Sequence, residues 1–194
     1  DGLLALAVAT GRADLAVVGR DLVDACLADG RVVLPGGGDP VLGAQGVTAD
    51  ADAGEGAYPS GTTLMARAAW RLHLLTAEPR YRDAAAAAIA PLAAQAAARP
   101  IGFGGLLGVA LAMAEPVRQL VVVTAEPDGP LASAARSVPT SVTAIVSPDA
   151  VRAFADAEFE LFAERGLVGG AAAAYLCHDF VCRLPVTDPA ALAG

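Results

Sequence analysis

The sequence predicts an α+β protein, predominantly α, with helical hairpins over residues 1–115 and a small α/β section over residues 116–194. Three observations carry that prediction. Apolar residues recur at spacings of three and four up to about Glu115, the helical period. Beyond it the period changes to short β-branched runs separated by helical segments. The chain is 55% hydrophobic but only 5% aromatic, and much of the apolar content is alanine, which favours helix while burying little area.

Gly2 to Thr10 is apolar almost throughout and is followed by Gly11, so it reads as a buried helix with a left-handed C-terminal residue. Ala13 to Ala28 places Leu15, Val18, Leu22 and Cys26 on one stripe, an amphipathic helix paired to the first, with Cys26 in the core. From Asp29 to Tyr58 periodicity vanishes. Arg31 to Leu34 reads as a short strand, and Gly36-Gly37-Gly38-Asp39-Pro40 stops anything longer. Helix resumes with Ser60 as N-cap and runs to Thr76. A second helix from Arg80 to Arg99 should be kinked or split by Pro91, and a third spans Phe103 to Ala114.

In the second section Gln119–Thr124 and Ser141–Val146 are expected strands, Pro130–Ser137 a short helix and Pro148–Arg165 a long amphipathic helix closed by Gly166. Ala171–Cys177 and Val181–Leu184 form an expected final strand pair, and Asp188 opens a last helical turn.

The formal net charge is -8, and all thirteen basic residues are arginines scattered along the chain. Such a surface disfavours nucleic acid and anionic membranes as partners. The alanine-rich stretch Ala84–Ala98, broken by Pro91 and Gln95, lacks the density of large apolar residues that a membrane span requires. Three cysteines do not make a secreted disulfide framework and no signal-like leader opens the chain, so a cytoplasmic location is expected.

Cys177 and Cys182 stand on the two arms of the expected C-terminal hairpin, where three readings remain open: packed thiols, a reversible disulfide, or part of a metal site. Tetrahedral zinc needs four ligands and only Cys26, His73 and His178 could supplement the pair, so no metal is expected. His178 and Asp179 fall at the tip, a solvated turn. Glu55, Tyr58 and Ser60 cluster before a helix whose N-terminus offers N–H groups to an anion or a sugar hydroxyl, against the simpler reading of helix capping. Asp50, Asp52 and Glu55 lack EF-hand spacing. Gly102, Gly104, Gly105 and Gly108 follow no strand and are read as close-packing positions on a helix. No cofactor is expected.

The ending Ala174-Tyr175-Leu176-Cys177-His178-Asp179-Phe180-Val181-Cys182 through Pro185-Val186-Thr187-Asp188-Pro189 resembles the C-terminus of the thioredoxin-domain family of YyaL-like proteins and spermatogenesis-associated protein 20. Glu55-Gly56-Ala57-Tyr58-Pro59-Ser60-Gly61-Thr62-Thr63 and Arg71-Leu72-His73-Leu74-Leu75-Thr76 are similar to that family's helix-start segment and the turn after it. Two departures stand out: Tyr58 replaces a usual glutamate, and Thr62-Thr63 a usual asparagine-serine pair. The resemblance implies part of an α/α toroid like that of N-acylglucosamine 2-epimerases, without the thioredoxin-like domain, since no C-x-x-C is present. It implies a structural role or binding of a carbohydrate-like ligand near Glu55, Tyr58 and Ser60, with no catalysis by this chain alone. The alternatives are a sugar isomerase-like or glycan-processing toroid enzyme, and thiol–disulfide exchange by Cys177 and Cys182. A partial toroid should leave Gly2–Leu6 and Phe103–Leu111 uncovered, favouring self-association or pairing with the missing N-terminal part of such a protein.

Overall fold

The computed structural model describes residues 1–33, 41, 44–45 and 55–192. The glycine-rich stop at 36–40, Leu34, Asp50 and Asp52 lie outside the described residues.

Helix α1 (Gly2–Thr10) ends at Gly11, whose φ of 68° is the left-handed conformation that glycine adopts without cost. Helix α2 (Ala13–Ala25) is shorter than the expected Ala13–Ala28. Leu27–Ala28 (β1) leaves the helix to pair antiparallel with Arg31–Val32 (β2) around Asp29-Gly30, both at positive φ, the turn that an Asp-Gly pair prefers. The face that α2 buries also differs from expectation. Ala13, Ala16, Gly19 and Val23 are buried, while Val18 and Leu22 of the expected stripe are 48% and 56% exposed. Small residues let α1 approach: a Cβ on Gly19 would sit 2.8 Å from Leu4 Cδ2. Cys26 is a half-buried free thiol, not the expected core residue.

Helix α3 (Gly61–Thr76) is almost wholly buried in its last two turns and packs on α4 (Pro79–Ile89). Pro91 splits the next segment as expected: a 3-10 turn at Ala90–Leu92 leads into α5 (Ala93–Ala98). Helix α6 (Gly104–Ala114) then touches α3 and α4. The helices gather round α3 as paired hairpins, and among the described residues no closed toroid is formed. No helix among them is long and apolar enough to cross a membrane. Of the segments expected to be uncovered, Leu6 and Leu111 are 49% and 61% exposed, whereas Leu4, Phe103 and Leu106 are buried.

After Glu115 the chain makes β3 (Arg118–Val123), α7 (Pro130–Ala135) and β4 (Val142–Val146), a parallel β-α-β unit. Helix α8 (Pro148–Asp156), capped by Ser147, stops well short of the expected Arg165. Glu158 takes φ 63°, Glu158 N–H donates to Ala155 O at 2.9 Å, and Phe159 N–H donates to Phe154 O at 3.0 Å. This is a Schellman ending with its apolar contact, the Phe154 and Phe159 rings meeting edge to face at 5.7 Å and Phe162 stacking on Phe154 at 4.2 Å. Burying three phenylalanines outweighs continuing the helix. The chain returns as β5 (Ala173–His178) and β6 (Val181–Cys182), giving a four-stranded sheet in the order β4-β3-β5-β6 with β5 antiparallel to both neighbours. A 3-10 turn at Pro189–Leu192 follows Asp188, whose Oδ1 accepts the Ala190 N–H at 3.0 Å.

The change of secondary structure near Glu115 is not a break in the core. One cluster joins Leu4, Leu72 and Leu75 of the helices to Val121 and Val123 of β3 and to the aromatics after α8. On the opposite face Leu120 and Val122 pack with Leu131 of α7 and Leu192. Each such fully buried side chain contributes about 1.5–3 kcal/mol.

Gln119, fully buried, is the polar exception on β3. Its Nε2 donates at 2.9 Å to Leu74 O, one of the carbonyls that the end of α3 leaves without a helical partner, and its Oε1 accepts the Phe180 N–H at 3.1 Å. Gln119→Leu keeps the volume and strands both backbone groups, so it is expected to lower the unfolding free energy by about 3 kcal/mol in urea titration; a loss under about 0.5 kcal/mol would show that the amide ties nothing together.

Candidate functional site

The residues between β5 and β6 are held in an unusual way. His178 and Val181 close a two-residue turn made by Asp179 (φ 47°) and Phe180 (φ 67°). Both positions need the left-handed conformation, which costs a non-glycine residue about 1–2 kcal/mol. Neighbours compensate: Asp179 N–H donates to Val117 O at 3.1 Å, Phe180 N–H to Gln119 Oε1, and the Phe180 ring meets His73 edge to face at 5.2 Å.

One position behind the turn, Cys177 and Cys182 face each other and form a disulfide. Their place is fixed by the ladder, since Arg183 N–H donates to Leu176 O at 3.1 Å on the far side. Of the three readings of this pair, the structure places a disulfide. Cys177 is buried and opposite Gln119, while Cys182 on the edge strand is only half-buried. Cys182 is therefore the more exposed cysteine of the pair.

Arg165 points at that sulfur. Its Nη2 donates to Cys182 Sγ at 2.8 Å and its guanidinium carbon lies 5.2 Å from the centre of the Tyr175 ring. Tyr175 in turn clamps the neighbouring backbone, its hydroxyl donating to Gly166 O at 2.9 Å and accepting the Gly166 N–H at 3.2 Å. Arg165 makes no ion pair among the described residues, and its Nε is buried without a partner. A cation aimed at a disulfide sulfur stabilises a thiolate there over the thiol.

Glu55, Tyr58 and Ser60 are not brought together round a cavity. Glu55 spends its carboxylate on the start of α6, accepting the Gly105 N–H at 2.6 Å and the Leu106 N–H at 3.2 Å, where the helix dipole favours a negative group. Gly105 makes the approach possible, because a Cβ there would lie 2.8 Å from Glu55 Oε1. Ser60 caps α3 by accepting the Thr63 N–H at 3.2 Å. Tyr58 is 84% exposed. The described residues hold no cluster of three or more histidine, cysteine or acidic side chains that could bind a metal.

No family model, curated protein or solved structure matches this chain. The arrangement at the hairpin therefore has to be read from its own chemistry. Arg165 and Gln119 were missed in the sequence. Gln119 carries a signal, a single amide at the head of an otherwise apolar buried run; Arg165 carries none, because its meeting with Cys182 depends on where the chain turns after α8.

His73 sits behind the tip. It is buried, its Nδ1 lies 3.0 Å from Glu78 O, and its ring contacts Trp70 as well as Phe180. Burial pulls its pKa below the ordinary histidine value, with the nearby Arg82 adding to the shift and the Glu78 carbonyl opposing it. The folded protein holds His73 neutral while the unfolded chain takes up a proton below about pH 6.5, so this contribution to stability is present above that pH and lost as pH falls towards the folded value. The denaturation midpoint should drop between pH 7 and pH 5, and His73→Gln should flatten that drop; equal slopes for both proteins would refute the assignment.

Proposed function

We propose that the β5–β6 hairpin is a thiol–disulfide exchange site, with Cys182 as the exchanging sulfur, Cys177 as the resolving one and Arg165 as the cation that stabilises the Cys182 thiolate. The observation that carries this reading is the Arg165 guanidinium donating to Cys182 Sγ at 2.8 Å with no carboxylate to neutralise it among the described residues. In the reduced protein the Cys182 thiolate attacks a substrate disulfide, forming a mixed disulfide and expelling one substrate thiolate. Cys177, deprotonated, then attacks the Cys182 sulfur. The intramolecular disulfide re-forms and the second substrate thiolate leaves; two electrons pass from the protein to the substrate and each departing thiolate takes a proton from water. The substrate class is a disulfide able to reach an edge strand, in a peptide or a small thiol.

The exposed Leu6 and Leu111 favour a further part of the reading, that the hairpins α1–α6 belong to an incomplete α/α toroid whose remaining hairpins come from additional chain.

Equilibration in glutathione redox buffers, followed by alkylation and mass measurement, tests the exchange. The expected result is that two alkylated sulfurs appear together at an intermediate glutathione ratio, beyond the unpaired Cys26, and that Cys177→Ser traps glutathione on Cys182. Arg165→Gln should slow alkylation of reduced Cys182 at pH 7 by about tenfold, and Arg165→Lys should restore most of the rate. A disulfide that stays closed at potentials down to about -300 mV is a structural staple and overturns the reading, as do equal alkylation rates in all three proteins.

A further inference from the structure

A second feature lies on another side of the molecule, independent of the hairpin. An open cleft of about 1020 Å3 is lined by residues of α1, α3, α6 and the start of the β3–β4 pair. Although the protein is acidic overall, Arg67, Arg71 and Arg118 converge on this cleft, and Glu115 at the exposed rim is the one acidic residue among those lining it. Trp70 forms part of an otherwise largely aliphatic wall, and Ser141 stands beside Arg118, its Oγ accepting the Arg118 N–H at 3.1 Å.

The three cations are incompletely satisfied. Arg118 makes no ion pair among the described residues, and its Nε is buried without a hydrogen bond. Arg67 and Arg71 share a single carboxylate, Asp1, with Arg71 Nε at 3.1 Å from Oδ1 and Arg67 Nη1 at 3.8 Å from Oδ2. Asp1 Oδ1 is itself buried and makes no hydrogen bond, so the contact is ionic without good directionality. Burial, and then the like charge of Arg67, lower the pKa of the Arg71 guanidinium, the mark of a cation short of negative partners. Asp1, outside the residues that line the cleft, is the one carboxylate that Arg67 and Arg71 face among the described residues.

We propose that the cleft binds a small organic carboxylate, its acidic head on Arg118 and Arg71 and its apolar body against Trp70 and the aliphatic wall. Arg is suited to that head because its planar fork matches a carboxylate in geometry and charge. The aliphatic and indole surface selects for a ligand with a hydrocarbon body over an inorganic anion. In this proposal the ligand's head competes with Asp1 for Arg71, which Asp1 already faces at 3.1 Å.

Trp70 is the single tryptophan of the chain, so tryptophan fluorescence at constant pH reports on one position, in the wall of this cleft. Titration of the full chain with octanoate is expected to change that fluorescence saturably, while octanol and inorganic phosphate at the same concentrations do not. Arg118→Gln should weaken octanoate binding by about tenfold or more, the consequence of losing a charge-assisted hydrogen bond, and Arg118→Lys should weaken it less. Asp1→Asn removes the competitor and should tighten binding several-fold, a result that a merely structural arginine pair would not give. Equal responses to octanoate and octanol would make the cleft a nonspecific apolar surface and overturn the proposal. So would saturation by phosphate alone, or unchanged octanoate affinity in both Arg118→Gln and Asp1→Asn.

Discussion

Strand β3 is buried on both faces, and the amide of Gln119 at its head hydrogen-bonds both the end of α3 and the hairpin tip, tying helices, sheet and tip together. Apolar contacts on β3 are strong but non-directional, and they would tolerate a sliding sheet. The amide is directional. It accepts from Phe180 and donates to Leu74, so the distance between the end of α3 and the β5–β6 turn is set by one planar group. Both partners are backbone groups that water reaches poorly at this position, and leaving either unpaired costs more than the bond itself contributes. That asymmetry is why a polar side chain persists at the head of an otherwise Leu and Val strand.

The same constraint explains how two consecutive non-glycine residues occupy left-handed conformations at the tip. Asp179 and Phe180 together cost about 2–4 kcal/mol relative to glycine at those positions. The bonds from Asp179 N–H to Val117 O and from Phe180 N–H to Gln119 contribute about 1 kcal/mol each, and the Phe180–His73 contact about another 1 kcal/mol. Strain and compensation are thus of similar size. None of the compensating contacts runs through the sulfur–sulfur bond, so the turn keeps the two cysteines opposed whether or not they are joined. A hairpin held together by its disulfide alone would splay on reduction.

Much of this was legible in the sequence wherever one residue's local chemistry decides the outcome. Ser60 caps α3, Pro91 splits a helix, Gly11 ends α1, and the β-branched runs became β3 and β4. What escaped was decided by tertiary packing. On α2 the large residues Val18 and Leu22 point outward because Gly19 and Ala16 let α1 come closer than a larger side chain would allow. Helix α8 stops because three phenylalanines bury better on a turned chain than along a continued helix. At Glu55 the sequence offered a ligand group or a solvated loop residue, and only the position of α6, fifty residues later, shows where the carboxylate is spent.

The premature end of α8 also puts Arg165 beside Cys182, and this is the step from fold to chemistry. A continuous helix from Pro148 to Arg165 would carry the guanidinium along its own axis, whereas the Schellman turn and the 3-10 segment Glu160–Phe162 bring it back to the sheet edge, where Tyr175 holds Gly166 and the ring supports the cation. In the oxidised protein that cation faces only a neutral sulfur and the face of a ring. Both are weak partners for a partly desolvated charge. Opening the disulfide so that Cys182 carries the negative charge supplies the missing counter-ion at a contact distance already in place. In the proposed exchange, the electrostatics at Cys182 favour the thiolate, which helps that sulfur both to attack and to leave.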